Sequence, residues 1–247
     1  KLNKKIEEII NEKINKKKEE IINKKLNEKI EEIIKKKLNE KIEKIFNEKF
    51  NKKLNEILNE NSNEKLKPMI KWKVRKDVDI NSIIEHIPKK YSTYIEPFVG
   101  DGRLYFHLNS KSSIISDESK EILDFYQIVK MGYSNNIYNF MKEQENEKEW
   151  YLEKRKEYNE LKEIKNEIDL LEKVKLFYYL RKTCFRGVVR YNNKGEFNIP
   201  FGNYKKYSFE EIKIKSNEDL LRKTEIIYND YKYLFEKYNE EDNFMYI

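Results

Sequence analysis

The sequence predicts an α/β protein whose parallel sheet is interrupted by a helical insertion and preceded by a long helix. From Lys67 onward, short apolar runs alternate with helix-like segments, which is the pattern of a parallel sheet with helical crossovers. A long stretch of helical character over residues 141–182 breaks that alternation and indicates an insertion. Residues 2–61 repeat a 12-residue unit five times without proline or glycine, so no residue there interrupts a helix.

Apolar spacing and turn residues place the elements of the globular part. The predicted strands are Tyr94–Phe98, Ser113–Ser116 and Phe244–Ile247, and residues 187–204 are predicted to form turns and a hairpin. The predicted helices are Asn81–His86, Lys120–Met131, Ile137–Met141, Glu149–Leu161, Ile168–Lys182 and Asn217–Lys237, with a further helix starting at Arg103–Leu108. We therefore divide the chain into a helical arm (1–61), the first part of the sheet domain (62–140), an inserted region (141–215) and a return to the sheet (216–247).

The repeats predict a helical arm with an apolar stripe. The five copies begin at Leu2, Ile14, Leu26, Leu38 and Phe50, and apolar residues fall at unit positions 1, 5, 8 and 9, except where Lys18 breaks the second copy. The stripe drifts by about 120° per copy, which favours a right-handed wrap between helices. Two interpretations stay open: an arm for self-association as a coiled coil, and the solvated product of a repeat expansion in the gene.

Composition narrows the class of protein. The net charge is +7, but residues 1–61 hold 18 lysines against 13 glutamates, so most of the excess lies in the repeats and supports nucleic-acid binding only weakly. A single cysteine, Cys184, excludes an intrachain disulfide, and two histidines, His86 and His107, argue against a zinc centre. No apolar run approaches the ~20 residues of a membrane helix and no signal segment is evident, so we expect a cytoplasmic protein without a membrane partner.

A glycine turn follows the first predicted strand. Residues 94–102 read YIEPFVGDG, and the glycines at 100 and 102 let the backbone approach a ligand at the carboxyl end of the strand. The next strand ends at Asp117, where nucleotide-binding sheets hold ribose hydroxyls. Together these features favour an adenosine-containing cofactor. The alternatives are a simple tight turn and a role for Asp117 in capping the following helix.

A basic, turn-rich element follows the insertion. Residues 181–205 read RKTCFRGVVRYNNKGEFNIPFGNYK and mix arginine, lysine, asparagine and aromatic residues. Such a hairpin can reach into DNA, where arginine reads guanine and asparagine reads adenine. The alternative is a basic surface hairpin with Phe197 and Phe201 tucked into the core.

These motifs together resemble a known family. Lys71-Trp72, EPFVGDG, Asp117 after a strand, a helix ending at Gln127–Met131, and RYN followed by GEFNIPFGNYK recur in this order in Dam-type DNA adenine-N6 methyltransferases. The resemblance covers about residues 67–247. It implies a Rossmann-like domain that binds S-adenosylmethionine, an inserted helical domain that recognises double-stranded DNA, and DNA methylation of the restriction–modification kind.

The resemblance assigns two groups of site residues and no metal ligand. It implies cofactor contacts from Trp72, Lys76, Glu96, Pro97, Phe98, Gly100, Gly102 and Asp117. It implies DNA contacts from Lys71, Arg186, Val188, Arg190, Asn192 and Pro200. Within these groups, Asp117 is expected to hold the ribose and Arg190 to lie in the hairpin that reads a base.

The sequence departs from the family pattern in its first motif and in the hairpin. Lys73–Arg75 stands where the family usually has two glycines between the tryptophan and the lysine, and bulkier side chains there could crowd the cofactor. Arg186 stands where the family commonly has asparagine before glycine, so the turn and its base contacts are open to change.

The largest departure is the Asp-Pro-Pro-Tyr motif, which does not occur in the sequence. In the family this motif holds the exocyclic amine of a flipped-out adenine, and Asn243–Ile247 resembles the strand that leads into it. We therefore expect a truncated methyltransferase, without catalytic residues of its own, that is inactive unless a second polypeptide supplies the missing half. The alternatives are a non-catalytic DNA-binding module and a degenerate relic with an oligomerising arm.

Overall fold

The computed structural model of the chain describes residues 13, 17–19, 24–27, 29, 31, 34–46, 49–50, 66–71 and 80–247. The chain divides into two compact units, Lys1–Glu60 and Asn61–Ile247. Every described residue of the first unit is helical, including the continuous stretch 34–46, as the repeats predict. The remaining residues of the arm lie outside the described residues. Within the second unit, the boundaries of the inserted region stay a prediction.

The second unit contains a parallel four-stranded sheet. Its strands are β1 (Tyr94–Glu96), β2 (Ser113–Ser116), β3 (Thr224–Ile227) and β4 (Phe244–Met245), in the order β3-β2-β1-β4. Every residue of the two central strands is buried, whereas β3 and β4 are partly exposed along the edges. Strands covered on both faces have nearly continuous apolar sequences, which is why β1 and β2 are visible in the sequence. The sheet and its helices form the predicted α/β, Rossmann-like architecture.

Helices precede, connect and follow the strands. They are α1 (Ile80–Ile84), α2 (Arg103–Leu108), α3 (Lys120–Lys130), α4 (Ser134–Lys142), α5 (Lys148–Glu160), α6 (Glu167–Thr183), α7 (Lys215–Arg222) and α8 (Tyr231–Lys237), with short 3₁₀ turns at Phe185–Gly187 and Glu210–Lys213. Among these described helices, none is long and apolar enough to cross a membrane.

Helix α6 is the longest helix among the described residues of the second unit. Its second half, Leu176 to Arg181, is buried on all sides, as expected for a helix in the interior. It packs against α3, where the rings of Tyr178 and Phe125 stack with centroids 5.3 Å apart and planes within 2°. The end of α6 is therefore part of the core.

The prediction of one helix over Asn217–Lys237 is wrong. The structure has α7, the strand β3 and then α8 over this range, and β3 pairs along its length with β2. Thr224, Ile226 and Ile227 are β-branched and fit a pleated surface, so pairing with a buried neighbour outweighs the helical character of the flanking residues. The other predicted elements are present. Their ends differ by up to three residues; for example, the first strand ends at Glu96 and the last at Met245.

Candidate functional site

The turn after β1 has the backbone conformation that its glycines permit. Gly100 has φ 51° and Gly102 has φ 67°, both in the left-handed region. A methyl group on Gly102 would lie 3.0 Å from the Phe106 ring and 3.2 Å from the Tyr126 hydroxyl, so the site is crowded as well. The Tyr126 hydroxyl donates a hydrogen bond of 2.8 Å to the carbonyl oxygen of Gly100. Burial raises the pKa of Tyr126 well above its usual value, so this donor stays neutral.

The carboxylate of Asp117 ties this turn to the end of β2. Its Oδ2 accepts a hydrogen bond of 2.9 Å from the backbone nitrogen of Gly100. Its Oδ1 accepts one of 2.9 Å from the backbone nitrogen of Ser119, the residue before α3. Asp117 therefore organises the start of the next helix, as one interpretation predicted, and it lies at the glycine turn, where its proposed contact with a ribose stays a prediction. Each oxygen keeps a second lone pair for a ligand.

A cavity of about 590 Å³ opens at the carboxyl ends of β1, β2 and β3, within the range of small-molecule sites. The cavity is lined by Pro97, Phe98, Asp117, Glu118, Lys120, Leu123, Tyr228, Asn229, Asp230 and Tyr231. The rings of Phe98 and Tyr231 lie 5.4 Å apart at 41° and form its aromatic side. Ligands of open α/β sheets bind at this edge.

Tyr228–Tyr231 is the part of the lining that sequence reasoning missed. These residues follow β3, which the sequence analysis had placed inside a long helix. A signal was present, because the β-branched run Thr224–Ile227 is followed closely by Asn229-Asp230, a pair typical of turns. Reading that run as a strand would have placed a third loop at the cofactor edge.

The predicted cofactor residues are only partly gathered at the cavity. Pro97, Phe98 and Asp117 line it, and Gly100 is bonded to Asp117. Glu96 is buried beneath the turn, where its Oε2 accepts a hydrogen bond of 2.7 Å from the Tyr94 hydroxyl. Trp72 and Lys76 lie outside the described residues.

The basic element after α6 is a hairpin over residues 184–202. Antiparallel bridges join Cys184 to Phe201 and Tyr191 to Phe197. Phe197 is buried and Phe201 packs against the core, as the alternative interpretation of this segment expected. Within residues 184–202 the basic residues Arg186, Arg190 and Lys194 stand against the single acidic residue Glu196, so the hairpin carries a net positive charge.

Helix α5 holds one strand of this hairpin. The Tyr151 hydroxyl and the Arg155 guanidinium donate hydrogen bonds of 2.8 and 2.9 Å to the carbonyl oxygen of Ile199. The Asn159 carboxamide accepts from the nitrogen of Phe197 at 2.8 Å and donates to its carbonyl oxygen at 3.1 Å. These bonds fix residues 197–199 of the hairpin against α5.

The predicted DNA-contacting residues differ in their exposure to solvent and in their backbone conformation. Arg186, Arg190 and Pro200 are exposed and Val188 is half-buried. Arg186 has φ 54°, a left-handed conformation that asparagine tolerates better than arginine, which explains why an asparagine suits this position in the family pattern. The Arg190 Nε donates to Asn198 Oδ1 at 2.9 Å.

Asn192 organises the tip of the hairpin. Its Oδ1 accepts hydrogen bonds from the nitrogens of Lys194 and Glu196 at 2.9 and 3.0 Å, and its Nδ2 donates to the Glu196 carboxylate at 2.9 Å. These bonds count against base reading by this carboxamide. Lys71, predicted near the DNA, is exposed, and its carbonyl oxygen accepts a hydrogen bond from Arg181 on α6.

The buried thiol of Cys184 is a structural group. Burial raises its pKa to about 11, so it stays protonated at neutral pH and is a poor nucleophile. Among the described residues, no group of histidine, cysteine, aspartate or glutamate side chains is arranged to hold a metal ion. The chemistry of the site therefore centres on the cavity and the hairpin.

Comparison with known proteins identifies the family. Residues 76–247 match the family model described as D12 class N6 adenine-specific DNA methyltransferase. The chain is 38% identical over 183 residues to the type II methyltransferase M.CviBI of Paramecium bursaria Chlorella virus NC1A, covering 73% of this chain and 67% of that protein. It is 33% identical over 198 residues to the type II methyltransferase M.MjaIII of Methanocaldococcus jannaschii, with the same coverage.

The matches with DNA adenine methylases are shorter. The enzyme of that name from Escherichia coli K12 is 32% identical over 151 residues, which covers 60% of this chain and 52% of the relative. The chain thus spans about two thirds of the type II methyltransferases and about half of this methylase. The family match includes both the cavity and the hairpin. The chain belongs to the D12 class of N6 adenine-specific DNA methyltransferases.

Proposed function

We propose that this chain carries the cofactor-binding and DNA-recognition parts of a site-specific adenine-N6 DNA methyltransferase, with S-adenosylmethionine bound in the cavity at the carboxyl edge of the sheet. The observation that carries this proposal is the joining of Asp117 to the glycine turn beside that cavity. It places a carboxylate, two left-handed glycines and an aromatic pair at one edge of a Rossmann-like sheet.

The cavity lining fits the parts of S-adenosylmethionine. The Phe98 and Tyr231 rings, inclined at 41° to each other, offer an aromatic wall on which an adenine can pack. The free lone pairs of the Asp117 carboxylate suit ribose hydroxyls. Asp117, Glu118 and Asp230 outnumber the single lysine of the lining, Lys120, so the local charge favours a cationic sulfonium. When bound, this cofactor supplies an electrophilic methyl group.

The hairpin supports recognition of double-stranded DNA. Arg190 uses only its Nε in a hydrogen bond among the described residues, so its terminal nitrogens can pair with a guanine edge or a phosphate. Arg186 and Lys71 are exposed cations suited to the same partner, and Val188 and Pro200 offer small apolar contacts beside them. Arginine and lysine contacts of this kind bind DNA with a strong dependence on salt.

We propose methyl transfer for the complete enzyme and not for these 247 residues alone. The Asp-Pro-Pro-Tyr motif is not among the 247 residues, and we propose that residues outside this sequence supply it, either in a longer chain or in a second polypeptide. Binding is therefore the property that tests this sequence directly.

The test is calorimetric titration of the chain with S-adenosylmethionine. We expect saturable binding that Phe98→Ala weakens by about tenfold or more, because truncating a ring that packs on the ligand removes roughly 1.5–3 kcal/mol. Leu152→Ala on α5 is the matched control, since Phe98 and Leu152 are both 38% exposed and Leu152 lies away from this cavity. Absence of binding by the folded chain, or equal loss in both variants, would contradict the proposal.

We further propose that the arm associates with a second copy of itself. On the helix 34–46, the side chains of Ile34, Leu38, Ile42 and Ile45 follow one another at spacings of four, four and three residues and are 44–58% exposed. The repeats share one apolar spacing, except where Lys18 breaks the second copy, and their mixed lysines and glutamates allow two like helices to approach. An identical partner therefore matches both the stripe and the charges.

Light scattering across a range of protein concentrations tests the arm. We expect the chain to form oligomers and the double variant Leu38→Asp/Ile42→Asp to be monomeric, because charges in the stripe prevent its burial. The control Lys36→Asp/Glu43→Asp places the same side chains on the opposite face of the helix and should still associate. A wild-type chain that is monomeric at every concentration would refute self-association.

A further inference from the structure

The short segment 66–71 is fastened to the sheet domain at three alternate residues. The Asn217 carboxamide accepts from the backbone nitrogen of Lys67 at 3.3 Å and donates to its carbonyl oxygen at 2.7 Å. The Tyr178 hydroxyl donates to the carbonyl oxygen of Met69 at 3.1 Å, and the Arg181 guanidinium donates to that of Lys71. The segment is therefore held by its backbone, whatever its side chains contact.

These fastening groups are among the most buried polar groups of the described residues. Asn217 and Tyr178 are inaccessible to solvent and Arg181 is 4% exposed. The side chains of Met69 and Ile70 lie in the main core between the bonded carbonyl groups. Hydrogen bonds made away from water fix geometry well, because each broken bond leaves a buried polar group unsatisfied. The path of the segment is thus set before the chain reaches residue 72.

Two of the three fastening residues also lie next to the hairpin. Tyr178 and Arg181 occupy the last two turns of α6, which ends at Thr183. The carbonyl oxygen of Thr183 accepts a hydrogen bond of 2.8 Å from the backbone nitrogen of Gly202, where the hairpin closes. One end of one helix therefore holds both the hairpin and the segment that leads to Trp72.

We propose that Tyr178, Arg181 and Asn217 are positioning residues, which fix segment 66–71 so that Lys71 binds DNA together with the hairpin. This inference rests on the proposed function. It assigns to the end of α6 a joint role in DNA binding, since that helix end holds both the segment and the hairpin through hydrogen bonds.

The sharpest test compares two adjacent buried tyrosines on α6. Tyr178→Phe removes the hydroxyl that bonds Met69 and keeps the ring stacked on Phe125. Tyr179→Phe removes a hydroxyl that donates to the carbonyl oxygen of Glu145 at 2.9 Å, outside the segment. Each variant loses one hydrogen bond to a backbone carbonyl, so we expect similar, small decreases in thermal stability.

We expect only Tyr178→Phe to weaken binding to labelled duplex DNA at low salt, by about fivefold, which is the ratio that corresponds to one hydrogen bond of about 1 kcal/mol. Hydrogen–deuterium exchange should rise at residues 66–71 in Tyr178→Phe and stay at the wild-type rate in Tyr179→Phe. Asn217→Asp, which loses the donor to Lys67, should reproduce both effects and provides a second variant if the first is unstable.

The outcomes separate the two proposals. A wild-type chain that is folded but binds no duplex DNA overturns the proposed DNA recognition and this inference with it. A wild-type chain that binds, together with equal affinities for Tyr178→Phe, Asn217→Asp and Tyr179→Phe, overturns the positioning role alone. Selective loss in the first two variants supports it, because a general loss of stability would affect Tyr179→Phe equally.

Discussion

Replacing Gly202 with alanine is expected to open the base of the hairpin and abolish most DNA binding. A methyl group on Gly202 would lie 2.8 Å from the carbonyl oxygens of both Thr183 and Cys184 and 2.5 Å from the Tyr204 ring. The two carbonyl groups belong to the backbone, so the clash can be relieved only by separating the strands. That separation also breaks the hydrogen bond from the Gly202 nitrogen to Thr183.

We expect Gly202→Ala to lower the free energy of unfolding by about 2–4 kcal/mol, because it overpacks the base of the hairpin and removes one hydrogen bond. For a folded unit of this size that corresponds to a fall of roughly 5–15 °C in the thermal midpoint. Fluorescence polarisation with a pool of labelled random-sequence duplexes at low salt should show at least about tenfold weaker binding, because the displaced hairpin no longer aligns Arg186 and Arg190.

Gly195 at the hairpin tip is the matched control. It has φ 73°, and a methyl group there would have no atom within 4 Å, so Gly195→Ala costs only the left-handed conformation, about 1 kcal/mol. If Gly202→Ala and Gly195→Ala weaken DNA binding equally, the close approach of backbones at the hairpin base is not what organises the site.

The sequence predicts an element correctly where its pattern of apolar residues matches its burial in the folded protein. Strands β1 and β2 are short apolar runs because both faces are buried, and the intervening glycine turn marks where the chain reverses. Strand β3 is hidden because it lies at the sheet edge, where Glu225 is exposed and the apolar run is interrupted.

Some residues of the candidate site could likewise be predicted from the sequence, and others could not. Asp117 and the glycine turn could be placed at one edge of the sheet, because both follow short apolar runs that form its buried central strands. Tyr228–Tyr231 was not placed there, since the strand before it was predicted as part of a helix. Asn192 could be assigned to DNA from its residue type, whereas its three hydrogen bonds within the turn depend on how the hairpin folds back. Residue type indicates which contacts a side chain can make. Packing decides which of its donors and acceptors are already used in hydrogen bonds within the protein.

Removal of the Asp117 carboxylate is expected to have the largest effect on cofactor binding. In Asp117→Ala the backbone nitrogens of Gly100 and Ser119 both lose their acceptor, in a partly buried position. The loop after β1 and the start of α3 are then no longer tied together, and the ribose of the proposed cofactor loses its acceptor as well. We expect calorimetry to show at least about a hundredfold loss of S-adenosylmethionine affinity, corresponding to two or more hydrogen bonds to a charged group.

Two further variants separate the structural part of this effect from the ligand part. Asp117→Asn keeps one oxygen for Gly100 but turns an amide group towards the Ser119 nitrogen, so we expect intermediate stability and intermediate affinity. Asp219→Ala removes an exposed carboxylate paired with Lys215 at 3.0 Å and should change neither measurably. If Asp117→Ala bound the cofactor within about twofold of wild type, the carboxylate would serve the turn alone and the ribose would have to be held elsewhere in the cavity. A steep fall in affinity from aspartate through asparagine to alanine, larger than the fall in stability, would place the ribose hydroxyls on Asp117.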